Sequence, residues 1–210
     1  MAEIMITNVT CPQCGKVDEV EIWATVNASS DPNAVQWIID GFLFEWECTE
    51  CGCAITLNHD CLYHDPDRKV MIQYVSKPEK ILDAARALEA LRSRGYELRI
   101  VTSLNSLREK VAIERDGLDD KVVELLKFAL FNKFVAEGKL QGTDVAYYGA
   151  IDEDGGIIVE FIGQGDAQES SIPRELYDSV AQQVPHLDRE LLGSLSVDRA
   201  WAAKANEQLG

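Results

Sequence analysis

Four of the six cysteines stand in two copies of one short pattern, Cys11-Pro12-Gln13-Cys14-Gly15 and Cys48-Thr49-Glu50-Cys51-Gly52. A Cys-x-x-Cys-Gly run puts two thiolates at the tip of a tight turn, and the glycine lets backbone amides turn in towards the sulfurs with no Cβ in the way. Two such turns make a tetrahedral four-cysteine cage, for which Cys11, Cys14, Cys48 and Cys51 are the expected ligands of one Zn2+ per chain. With 33 residues between Cys14 and Cys48, the second turn can return on a β-hairpin, the zinc-ribbon arrangement. Metal is expected over disulfides, because the cysteines are paired in turns and Met1 to Thr10 lacks the basic start and apolar run of a secretory leader. A cage closed by four thiolates has no open position for water or substrate, so its expected role is structural.

A second group of reactive residues lies at His59, Asp60, Cys61, His64 and Asp65. Histidines and carboxylates at this spacing could take a catalytic metal, and Cys61 with His64 could act as nucleophile and base. The competing expectation is a sheet-edge loop in which Asp65 caps a turn and His64 bonds a neighbouring strand. No oxyanion donor or phosphate-binding loop accompanies the group, which favours the loop. Cys53 and Cys61 are expected to be free thiols, since a tetrahedral ion has no room for a fifth sulfur. Gly163-Gln164-Gly165 lacks the helix start of a dinucleotide site. Asp152-Glu153-Asp154 lacks calcium-loop spacing and reads as a solvated hairpin tip.

These residues need elements to hold them. Val17 to Val26 alternates with a period of two and reads as a strand. A turn-forming loop over 27–33, a short helix or turn over 35–40, and a strand through Phe42, Phe44 and Trp46 into Cys48 follow. Ala54 to Asn58 and Val70 to Val75 read as further strands, making an antiparallel sheet beside the metal, with a turn at Asp65-Pro66-Asp67-Arg68. Ser76-Lys77-Pro78-Glu79 has capping-box spacing and predicts a helix that Gly95 ends. A strand over 98–102, a helix capped near Ser103 and stopped by Gly117, and a long helix from about Leu118 to Glu137 come next. That last helix has apolar residues around most of its circumference and Asp119 and Asp120 in its first turn. A hairpin of Val145 to Ile151 and Ile157 to Ile162 precedes a helix starting at Ser170 or Ser171 and a final helix from Asp188, interrupted near Gly193 and Ser194. The expected class is α+β: a four-cysteine zinc ribbon with an antiparallel sheet over 1–75, a helical segment packed with it over 76–140, and a hairpin with helices over 141–210.

Charge narrows the function. The chain carries −16, and four thiolates around Zn2+ would bring it to about −18. Residues 1–75 hold three Lys or Arg against twelve Asp or Glu, residues 76–140 thirteen against eleven, and residues 141–210 four against thirteen. Binding to nucleic acid or to an anionic membrane surface rests on a basic patch, and the ribbon offers only Lys16, Arg68 and Lys69. Neither is expected as a partner; an unknown protein is. No apolar run is long enough to span a bilayer, and a cytoplasmic location is expected.

The chain resembles the CpXC proteins of bacteria and archaea. The resemblance rests on Val9-Thr10-Cys11-Pro12-Gln13-Cys14-Gly15, Leu62-Tyr63-His64-Asp65, Arg99-Ile100-Val101-Thr102-Ser103, and Glu114-Arg115-Asp116-Gly117-Leu118-Asp119-Asp120 leading into Glu124-Leu125-Leu126. It covers about residues 4–135 and implies metal ligation at Cys11, Cys14, Cys48 and Cys51. Thr49 departs from the pattern, which usually has proline there. The resemblance implies a fold and a metal but no activity. The expected function is a zinc-stabilised, non-enzymatic protein-interaction or regulatory module. The alternatives are a metal-dependent hydrolase using His59, His64 and Asp65, and a rubredoxin-like iron electron carrier.

Overall fold

The computed structural model describes residues 2–163 and 168–209, and the chain divides into two compact units, Met1–Val111 and Ala112–Gly210. The architecture is mixed helix and sheet, with the four cysteines grouped in the N-terminal unit.

The first unit opens with β1 (Glu3–Thr10) and β2 (Val17–Asn27), an antiparallel ribbon that reaches from Glu3 opposite Thr25 to Thr10 opposite Val17. The first cysteine turn is the tip of that ribbon. Helix α1 (Pro32–Asp40) starts on a proline, whose fixed φ suits the first helical turn, and stops at Gly41. A 3-10 turn over Phe42–Phe44 leads into β3 (Glu45–Glu47), and β4 (Ala54–Thr56) returns antiparallel to it, with the second cysteine turn at that tip. The strand expected through Phe42 is therefore half turn: Phe44 is buried, while Phe42 is exposed.

Next come β5 (Cys61–Asp65), β6 (Val70–Tyr74), α2 (Ile81–Arg92), β7 (Glu97–Val101) and α3 (Leu104–Arg115). The large sheet runs β1-β2-β5-β6-β7. The two ribbons that carry the cysteines are antiparallel, as expected, but the large sheet also contains parallel pairs, β2 with β5 over Thr25–Asn27 and β6 with β7. One core gathers Val26 of β2, Val35 and Ile38 of α1, Phe44, Cys61 and Tyr63 of β5, Ile72 and Tyr74 of β6, and Leu107 and Val111 of α3. The expected capping box is absent, because the Ser76 hydroxyl and amide both donate to Asp60. Ser103 does cap α3, its hydroxyl accepting from the Ser106 amide at 3.0 Å.

The second unit is built on α4 (Asp120–Ala136). The Asp119 carboxylate accepts from the Lys121 amide, and the Asp119 amide donates to the Tyr177 hydroxyl, both at 2.8 Å. Residues 121–127 are buried all round the helix, whereas Ala129 is exposed, so the all-round apolar character expected of this helix is covered only over its first half. The strands β8 (Val145–Ile151), β9 (Ile157–Ile162) and β10 (Gln168–Ile172) form a meander in the order β10-β9-β8. Ser170 and Ser171 lie in β10 rather than at a helix start; α5 (Arg174–Ala181) begins after Pro173. The interrupted terminal helix is α6 (Arg189–Leu192) and α7 (Arg199–Leu209). Helix α4 packs on β8, α5 and α7. The Phe134 and Phe161 ring centroids are 5.1 Å apart, and the Arg199 guanidinium lies 4.0 Å over the ring of Phe131.

A chain cut after Gly138 loses the elements that cover Phe131 and Phe134. Sedimentation velocity should show it self-associating; a monomer with the thermal stability of the full chain would show that α4 is covered without them.

Candidate metal centre

The two cysteine turns share one hydrogen-bond scheme. In the first, the Cys11 amide donates to the Lys16 carbonyl and the Gly15 amide to the Cys11 carbonyl; in the second, Cys48 donates to Cys53 and Gly52 to Cys48, all between 2.8 and 3.0 Å. Closing such a turn requires positive φ at the fourth following residue, and Gly15 and Gly52 take +75° and +71°. A side chain at either position would be strained even though space is open beside Gly15.

The turns bring the sulfurs together from two separate ribbons. Cys11 Sγ lies 3.6 Å from Cys51 Sγ, Cys14 Sγ lies 3.6 Å from Cys48 Sγ, and all four lie within 4.8 Å of one another. Tetrahedral zinc with Zn–S of about 2.3 Å has S···S edges of about 3.8 Å, so the donor set fits such an ion. Cys11 and Cys48 are buried, and Cys14 and Cys51 are exposed. The amide of Cys14, against a desolvation cost and with help from the Gln13 amide, brings the Cys11 thiol down to about 6. The Cys53 amide favours a thiolate at Cys51, but desolvation and the thiols of Cys14, Cys11 and Cys48 outweigh it and push Cys51 up to about 12. Four such groups cannot all ionise side by side without a cation among them.

The sequence reading missed a polar link between the turns. Lys16 Nζ donates to the Thr49 hydroxyl at 2.5 Å and pairs with Asp18 at 3.3 Å, while Thr49 donates to Asp18 at 3.1 Å. Thr49 thus offers a hydroxyl where proline would offer none. The signal available in the sequence was a lysine directly after Gly15, where a cation suits a thiolate cage of net negative charge.

The second group of reactive residues disperses. His59 and Asp60 lie in a loop, as expected, but Cys61–Asp65 form β5, the central strand of the large sheet and not its edge. The His59 ring packs on Phe44 at 4.9 Å between centroids, whereas His64 Nε2 lies 3.1 Å from the Tyr96 hydroxyl. Desolvation lowers the pKa of both histidines. Asp60 accepts from Ser76 and pairs with Lys80 at 2.8 Å, and those bonds outweigh desolvation to hold its pKa at about 2. Asp65 accepts from the amides of Asp67 and Arg68, as the turn expectation had it. Cys61 is fully buried, and desolvation pushes its thiol up to about 12. Among the described residues, the one group of ligating side chains close enough to hold a metal is Cys11, Cys14, Cys48 and Cys51, so His59, His64 and Asp65 form no such site. The Asp152 carboxylate is engaged by the Asp154 and Gly156 amides and the Ser171 hydroxyl. Gln164 and Gly165 of the glycine-rich run lie outside the described residues.

The family described as CpXC protein matches residues 9–127, more than half of the chain. The chain belongs to the CpXC family. The CpXC match starts two residues before the first cysteine turn, takes in both turns and the whole of β5, β6 and β7, and ends within α4. Compared with the curated proteins and with the solved structures, the chain matches none. Among the described residues no helix is long and apolar enough to cross a membrane.

Serine at any one of Cys11, Cys14, Cys48 or Cys51 should lower bound metal and thermal stability together, whereas Cys53→Ser and Cys61→Ser should retain the full metal content. Metal analysis of the purified variants checks this, and metal loss in Cys53→Ser would place a fifth thiol in the ligand set.

Proposed function

We propose that this CpXC protein is a zinc-stapled, non-enzymatic module that binds another protein in the cytoplasm. The observation that carries the reading is the set of four protein sulfurs around one point, which would fill every position of a tetrahedral ion and leave none for a substrate. The dispersal of His59, His64 and Asp65 supports it further, since the most chemistry-rich stretch of the sequence is used for packing, a turn and strand pairing. Zinc suits two thiolates exposed to solvent, because it has no redox chemistry of its own. The acidic ribbon argues for a protein partner over nucleic acid or an anionic membrane.

Metal analysis should return one zinc per chain in a colourless protein; a red protein containing iron would instead make the site an electron carrier. Removing the metal with a chelator should unfold the ribbon, because structural zinc contributes roughly 10–16 kcal/mol in zinc-finger peptides. Affinity purification from native lysate at moderate salt should recover a partner protein, and recovery of the bait alone overturns the interaction reading. Sub-micromolar, salt-sensitive binding to DNA or RNA at about 150 mM salt would overturn the exclusion of nucleic acid.

A further inference from the structure

The β1–β2 ribbon has an open side. Strand β1 is the edge of the large sheet, and β2 meets β5 only over Thr25–Asn27, so most of the ribbon stands beyond the remaining strands. Natural edge strands are commonly protected by lysine, proline, a bulge or a covering element. The protection in β1 is confined to its start, where Glu3 is charged and the register with β2 shifts between Glu3 and Ile4; from Ile4 to Thr10 the strand contains no charged residue and no proline and its register is regular. Its apolar side chains are uncovered: Ile4 is 46%, Met5 51% and Ile6 69% exposed.

The register shows what surrounds them. Ile4 lies opposite Trp23 and Ile6 opposite Glu21, so these four share one face of the ribbon with Glu19, which is opposite Asn8. Trp23 meets the half-exposed Trp37 of α1 edge to face, with ring centroids 6.4 Å apart. This face is thus an apolar strip ending in two tryptophans and bordered by the exposed carboxylates of Glu19 and Glu21. Residues 1–15 contain no Lys or Arg to neutralise them.

We propose that β1 is a docking edge for an extended peptide segment of another protein, in which apolar residues alternate with Lys or Arg and which adds as a further strand. The proposal rests on the interaction reading and names the chemistry of the partner. Main-chain hydrogen bonds to the open edge supply the pairing, and alternate side chains supply the selectivity. A lysine opposite Ile6 would lay its methylene stem over that side chain and carry its ammonium towards Glu21, two strand spacings or about 10 Å away. A second copy of this chain is the poorer occupant, because its β1 brings no cation to Glu19 or Glu21 and each chain carries −16.

The test uses the zinc-loaded full chain and a fluorescent seven-residue peptide of alternating valine and lysine, read by anisotropy. The peptide should bind, with affinity falling as salt rises. Its counterpart with glutamate for lysine, and a fully N-methylated counterpart that cannot pair with a strand, should each bind at least tenfold more weakly. Ile6→Lys places a like charge on the edge and should weaken the peptide at least tenfold while keeping metal content and thermal stability. Failure of the valine-lysine peptide to bind, equal binding by the N-methylated peptide, or equal binding by Ile6→Lys overturns the proposal. So does a wild-type dimer that Ile6→Lys dissolves, which would make a second copy the occupant. Affinity purification with both baits separates the two levels. A partner recovered equally by wild type and Ile6→Lys leaves the interaction reading standing and sinks the β1 edge, whereas no partner for wild type sinks the interaction reading itself.

Discussion

The first unit depends on four cysteine sulfurs being held at one point. Cys11 and Cys14 sit at the end of one two-stranded ribbon, and Cys48 and Cys51 at the end of another. Two-stranded ribbons are marginal on their own in water. Here the shorter has only three pairs, Glu45 with Thr56, Trp46 with Ile55 and Glu47 with Ala54. A cation among the four sulfurs would turn the repulsion of their thiolates into an attraction that joins the ribbon tips. The Lys16–Thr49–Asp18 link adds a polar tie between the same two turns, but it is largely exposed and surface pairs contribute little.

The core takes over where the reach of the cysteine cluster ends. Val26 is at the inner end of β2, where that strand leaves the ribbon and joins β5, and it is completely buried. Phe44 follows the helix that β2 leads into and lies in the same core, just before the strand to Cys48. Each ribbon is therefore fixed at both ends, by apolar packing at its base and by sulfur at its tip.

The parts of this architecture that were legible in the sequence are those written in local spacing. Both cysteine turns, the hairpin of Val145–Ile151 with Ile157–Ile162, the long helix α4 and the break between α6 and α7 follow from residues within a few positions of one another. Pairing between distant strands leaves no such mark. Strand β5 contains His64 and Asp65 and joins β2 through only three parallel pairs, so its residues resembled a site more than a strand. The alternation of Phe42, Phe44 and Trp46 promised a strand that Gly41, with φ +91°, diverts into a 3-10 turn. Ser76 had capping-box spacing, but its partner is Asp60, 16 residues away. Strand β1 has no clear local mark, because Thr7, Asn8 and Thr10 dilute its apolar pattern.

Trp23 and Trp37 belong to different elements, the ribbon and α1, and their edge-to-face contact exists only while the ribbon is seated. Two indoles at this separation and angle couple as electronic transition dipoles and give a paired circular dichroism band that neither ring gives alone. The molecule consequently carries its own optical gauge of ribbon seating, readable without a label.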